Sequence, residues 1–281
     1  MAKDRKSEMK PNVKDEVVDN ASILAESRHK LGRGKEHLET LNGEIATFLD
    51  SKSYSTVREF DPKQSKHLIK FAINTPIPQV RWGMIIGDCV HNARTSLDYI
   101  AFRLAGSDVT NRKVMFPIYL EPKPFRDSLW RLKGIHRDAI RAIEEFQPYT
   151  RPDPRASALW ALNELDARDK HKLLTMTEPT GRIVHLSESS PFPIFIPMGP
   201  NRRIEHNTTI AEILAHPDQK VTVEAELTLD ILFERGIISA ADDYEVSGTL
   251  EIIFETVNLI ITSFENLIAA NPDWIKAKAQ P

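Results

Sequence analysis

The chain has a single cysteine, Cys89, in 281 residues. No internal disulfide can form, so the expected location is the reducing cytoplasm, with Cys89 on the apolar side of a helix as a core residue. Neither sign of charge is in excess: Lys+Arg is 37 against Asp+Glu 40, a formal net charge of -3. That excludes a chain that coats nucleic acid through its overall charge, while leaving room for a local basic patch. No stretch reaches the ~18–20 consecutive apolar residues of a bilayer span, and the first ten residues have no apolar core of a secretory signal. The expectation is therefore no membrane. No glycine-rich strand-to-helix turn stands where a dinucleotide fingerprint requires one, so no cofactor is expected. Trp82, Trp130, Trp160 and Trp274 are scattered and make no stacking platform for single strands. Ser189 and Ser190 lack the Gly-x-Ser-x-Gly context of a serine hydrolase.

What is present is ordinary globular composition, 41% hydrophobic and 27% charged. Residues 1–18 mix both charges and read as a tail, residues 19–270 as one domain, and residues 271–281 as a second tail. A long helix is expected over about Asn20 to Asp50. Leu24, Leu31, Leu38 and Ile45 recur at sevens there, with Leu41 and Phe48 offset by three. This seam suits either the chain's own core, the favoured reading, or a homo-oligomer joined through the helix. Gly32 and Gly34 interrupt it, and because no strand precedes them they are not a phosphate loop. The alternation of Ile69, Phe71 and Ile73 predicts a β-hairpin over 54–73. A second long helix is expected from Val80 to Leu104, closed by Gly106. Residues 113–119 look extended. Helices are expected over 123–133, 136–146 and 156–172.

The last third differs. Val221, Val223, Ala225, Leu227, Leu229, Ile231 and Phe233 alternate with polar residues, the pattern of a strand with one dry face. Residues 173–178, 182–186 and 192–197 are its expected antiparallel partners. A final helix should start near Ser247 as N-cap and end before Asn271-Pro272. The order is α+β: a helical N-terminal part, then an antiparallel sheet that packs with a C-terminal helix.

The chemistry gathers on the second helix. Ile86, Val90, Ala93, Leu97, Ala101 and Leu104 share one face. Asp88, His91, Thr95 and Asp98 lie opposite, with Arg94 at the edge, and Met84 and Phe102 stand on the same stripe at either end. On a surface helix this polar set is simply the solvated side; the other reading is that a helix apolar nearly all round is buried, so that polar groups within it need partners. The helix at 156–172 offers them, for Asp166 and Asp169 flank Leu162 on its inward face. Arg94 is expected to pair with Asp169 or Asp166, and Lys170, His171 and Lys172 to turn into the same cavity. The expected cluster is Asp88, His91, Asn92, Arg94 and Asp98 with Asp166, Asp169, Lys170 and His171.

The strings Gly87-Asp88-Cys89-Val90-His91-Asn92-Ala93-Arg94-Thr95-Ser96-Leu97-Asp98-Tyr99 and Asp166-Ala167-Arg168-Asp169-Lys170-His171-Lys172 resemble a paired signature. It has the form GDxxHNxRSxLDH with DKHR, in a group of uncharacterised bacterial and phage-borne proteins. The resemblance covers most of the chain and implies that the two strings form one site, without specifying a reaction. Thr95 and Tyr99 depart from the Ser and His of the first string, and Lys172 from the Arg of the second. A histidine lost at 99 argues against an essential ligand or base there.

Three chemistries fit such a cluster. In metal-independent cleavage of RNA or of a small phosphorylated ligand, His91 and His171 would be acid and base. Arg94 and Lys170 would hold the phosphate, and Asp98 or Asp169 would orient an imidazole. The Arg-x4–6-His motif of a helical RNase superfamily is not matched, because His91 precedes Arg94. In a mixed Asp/His metal site, Asp88, His91 and Asp98 with Asp169 or His171 would be ligands; no paired-ligand spacing supports it. In the third reading the cluster is a structural salt-bridge network of a non-enzymatic binding or interaction protein. Arg202 and Arg203 beside His206 read as a solvated loop, and His185 as a sheet residue.

Overall fold

The computed structural model describes residues 24–51, 53–106, 113–176, 180–188, 194–195, 205–214, 223–238 and 244–276. Residues 1–18, Ser189, Ser190, Arg202 and Arg203 lie outside them, as do the side chains of His185 and of the strand at Val223. In chain order come α1 (Ala25–Asp50), β1 (Tyr54–Asp61), β2 (Lys66–Ile73), α2 (Gln79–Ala105), α3 (Pro122–Asp127), α4 (Arg137–Glu145) and α5 (Ala158–Asp169). Then follow β3 (Thr180–Glu188), β4 (Ile194–Phe195), β5 (Thr209–Leu214), β6 (Val223–Asp230), α6 (Val246–Ala270) and α7 (Asp273–Lys276). This is the expected α+β class. The expected 123–133 helix is instead α3 followed by a 3-10 turn, Leu129–Leu132.

The heptad seam of α1 is internal. Leu24, Leu31, Leu38, Leu41 and Ile45 are buried in one core with α2, α5 and α6, so this face is not free for a second copy. Gly34 is explained by that packing, since a Cβ there would fall 2.7 Å from the ring of Phe254 on α6. Arg28 then ties the two helices together. It donates to Glu265 Oε1 at 2.9 Å, Asn258 Oδ1 at 2.5 Å and Thr262 Oγ1 at 2.8 Å. α6 is long and apolar enough to cross a membrane by length and composition alone, although polar residues break its apolar run. In this fold its Leu250, Phe254, Val257, Ile261, Phe264 and Ile268 are core residues. Its N-cap is Glu245 rather than Ser247: the Glu245 carboxylate accepts from the Ser247 amide at 2.9 Å, and the Gly248 amide also donates to it.

The strands do not form the single sheet expected beneath α6. Among the described residues they make a four-stranded antiparallel sheet, β1-β2-β5-β4, and a separate pair, β3-β6. The hairpin β1–β2 is thus joined in space to β5, about 140 residues later, in the register Ile69↔Ala211. None of Ile69, Phe71, Ile210 and Ile213, buried though they are, belongs to the core that α6 fills. Of the described residues of the expected partner 173–178, Met176 forms an isolated bridge to Phe233.

Candidate functional site

α2 carries the first string because its inner face, Ile86, Cys89, Val90, Ala93, Leu97 and Ala101, is fully buried at helical spacing. Cys89 is a core thiol: burial, then the charge of Asp88, pushes it up to about 12, so it is no nucleophile at neutral pH. α5 meets this helix end to side. A Cβ on Gly87 would fall inside the Asp169 carboxylate, and one on Gly83 would lie 2.7 Å from the Leu174 carbonyl oxygen. Two glycines one turn apart in a helix interior, each costing about 1 kcal/mol relative to Ala, were the available sequence signal for this crossing.

The two strings do come together, but the cluster divides into a dry half and a wet half. In the dry half Arg94, 6% exposed, donates from Nη2 to Asp98 Oδ1 at 2.9 Å and to the Phe116 carbonyl at 2.5 Å. The Phe116 amide donates to the same Asp98 oxygen at 2.8 Å. Arg94 therefore pairs within its own helix and with the segment 113–119, not with Asp166 or Asp169 as expected. The physical reason lies in that segment. It is neither helix nor strand and pairs with no strand among the described residues, so its backbone needs side-chain partners. Arg94 and Asp98 serve Phe116. Gln147, fully buried, donates to the Pro117 carbonyl at 2.8 Å and accepts from the Tyr119 amide at 3.1 Å. Gln147 drew no attention in the sequence, where nothing distinguishes it from a surface glutamine.

Asp98 keeps 28% of its side-chain surface open, yet burial is the largest influence on its carboxyl and raises it. Arg94 and the Phe116 amide oppose that rise, and nearby Asp166 adds to it. Asp166 is itself 7% exposed and accepts from Lys170 Nζ at 2.5 Å, one turn on.

The wet half holds the rest. Asp88, His91, Lys170, His171 and Lys172 are exposed, so the last three do not turn into a cavity. They follow the end of α5 at Asp169, and the amides of His171 and Lys172 close on the Arg168 carbonyl. His91 Nε2 lies 3.4 Å from Thr95 Oγ1. Asn92 is buried and donates to the Asp88 carbonyl at 2.7 Å. Asp169 is half-buried. Desolvation first, then repulsion from Asp166 and Asp88, raises its carboxyl, while His91 and Lys170 oppose the rise. Met84 and Phe102 are 63% and 44% exposed. The outer face of α2 is therefore open, contrary to the reading of a helix buried all round. Among the described residues no three His, Cys, Asp or Glu side chains are placed to hold a metal ion together.

The raised Asp169 carboxyl has a consequence for stability. Its folded form binds a proton more tightly than the unfolded chain does. Stability therefore falls as pH rises from the ordinary carboxylate range through the raised value. Asp169→Asn should melt above the wild type at pH 7, by about 1–2 °C given the solvent screening of this group. The difference should vanish below about pH 3.5, where both states are protonated. Calorimetric melts of the pair across this range check it; a variant that melts lower at pH 7 contradicts the assignment.

In comparisons with family models, with curated proteins and with solved structures, nothing matches this chain.

Proposed function

We propose that this chain is a non-enzymatic interaction protein, in which the dry half of the cluster is a packing lock and the outer face of α2 meets a partner. The observation that carries this reading is the occupation of the cations. Arg94 is buried on Asp98 and Phe116, and Lys170 lies on Asp166. A phosphodiester on this face would meet the carboxylates of Asp88 and Asp169, while Arg94 and Lys170 are already paired with Asp98 and Asp166, and like charge repels.

The outer face of α2 has complementary features for a protein. Val80 and Met84 are exposed at one end and Phe102 at the other, with Leu173 beside Gly83. Asp88 and Asp169 lie between them and, among the described residues, form no ion pair within 4.0 Å. Charge complementarity selects a basic segment whose cations are flanked by apolar anchors, lying along the helix. A synthetic amphipathic Lys/Leu helix should bind the wild type saturably and Asp88→Asn/Met84→Ser at least about tenfold more weakly. Equal affinity for the two proteins would remove this surface.

A second reading keeps one observation in its favour: His91 lies near enough to Asp169 for its charge to oppose the rise of that carboxyl, and both stand on the same open face. Incubation with mixed RNA in EDTA separates the two. The interaction reading expects no cleavage above the blank. Cleavage by the wild type that His91→Ala abolishes would overturn it in favour of phosphodiester chemistry.

A further inference from the structure

On the far side of the helical core, α1 and the start of α2 enclose an open groove of about 570 Å³. Its apolar floor is Phe48 and Pro78, and Phe48 rests edge to face at 5.4 Å on the buried Trp82. Its polar rim is Glu39, Glu44, Thr40, Thr47 and Ser51.

Every donor on that rim is already engaged. Thr40 Oγ1 donates to the Glu36 carbonyl at 2.9 Å, Thr47 Oγ1 to the Gly43 carbonyl at 2.8 Å, and Ser51 Oγ to the Phe48 carbonyl at 2.8 Å. The Trp82 indole N–H donates to Glu44 Oε2 at 3.2 Å. What the rim offers a guest is oxygen lone pairs. Glu44 is also paired with Arg81, whose Nε donates to it at 2.8 Å. Glu39, among the described residues, has no ion pair or side-chain hydrogen bond. The groove thus carries one uncompensated carboxylate among acceptors, above aromatic carbon.

Gly43 forms part of the wall. A helical glycine is unfavourable by about 1 kcal/mol relative to Ala. Gly34 has a packing reason, but a Cβ on Gly43 would meet nothing within 4 Å. Gly32 also faces open space, yet only Gly43 of the two borders the groove, where a side chain would project into it.

We propose that this groove binds a primary amine with an apolar body. An ammonium has three N–H donors and no acceptor, matching a rim of acceptors. Glu39 supplies the charge-assisted bond, and the body covers Phe48 and Pro78 above the buried Trp82. A carboxylate or phosphate guest would be repelled, and a neutral alcohol would leave Glu39 without a counter-ion.

The test uses 2-phenylethylamine as probe, with 2-phenylethanol as its neutral counterpart, followed by NMR titration of the full chain. The amine should produce saturable shifts at the amides of residues 39–51 and at the Trp82 indole N–H. The alcohol should bind at least about tenfold more weakly. Glu39→Gln should cost the amine about tenfold, and Gly43→Leu should abolish the shifts while the melting temperature holds or rises. Because Glu39 is exposed and unpaired, its variant folds whatever becomes of the Gly43 variant. The proposal is overturned if the amine gives no saturable shift, if the alcohol binds equally, or if Glu39→Gln leaves amine binding unchanged. It is independent of the outer face of α2 and survives the loss of that reading.

Discussion

Arg94→Ala will destabilise the chain by about 3 kcal/mol, because it strands the partly buried Asp98 carboxylate and the Phe116 carbonyl together. The low end of the usual range applies, since Asp98 retains 28% of its side-chain surface in water. At about 2–4 °C per kcal/mol, the melting temperature should drop by roughly 6–12 °C at neutral pH. Without the guanidinium, the Asp98 carboxyl rises further above the ordinary range, and the folded state prefers it protonated. The deficit should therefore shrink as pH falls toward the ordinary carboxylate range. Adding Asp98→Asn should recover part of the loss, because an amide oxygen can still accept from the Phe116 amide without a buried charge. A loss below about 1 kcal/mol at pH 7, measured by chemical denaturation, would mean that the pair is effectively a surface contact.

Gly83→Ala is expected to lose about 1–2 kcal/mol, against the propensity gain of about 1 kcal/mol that alanine gives a helix interior. The new methyl would stand 2.7 Å from a main-chain oxygen, that of Leu174, and backbone cannot rotate aside. Gly87→Ala makes the informative contrast. Its methyl would meet a side-chain carboxylate, Asp169, with Cγ at 2.8 Å, and that group can turn away toward water. Its stability should change by less than about 0.5 kcal/mol, while the titration of Asp169, read by carboxyl NMR, moves. Equal melting of both glycine variants would contradict the close approach of the Leu174 backbone to Gly83.

The heptad of α1 and the apolar stripe of α2 were readable because burial imposes a helical period on residue type. The hairpin over 54–73 was readable for the same reason at period two. Asp88–Asp98 and Asp166–His171 were recognisable as one neighbourhood, since charges opposite a buried face need partners. Which charge would pair with which was not. Arg94 reaches Asp98 and a backbone carbonyl because 113–119, among the described residues, has no strand partner, a fact of tertiary arrangement. Gln147 was invisible for that reason, and the Arg28 network because its acceptors lie on a helix 230 or more residues away.

Side-chain periodicity is a local property, so the sequence by itself determined the α+β class, most of the helices and the inward stripe of each long helix. Pairing across space depends on which backbone groups are left without partners and on where two helices can touch. Only the tertiary structure could therefore place β2 beside β5, seat the end of α5 on Gly87 and the segment after it on Gly83, leave Met84 and Phe102 in water, and open a groove beneath Glu39.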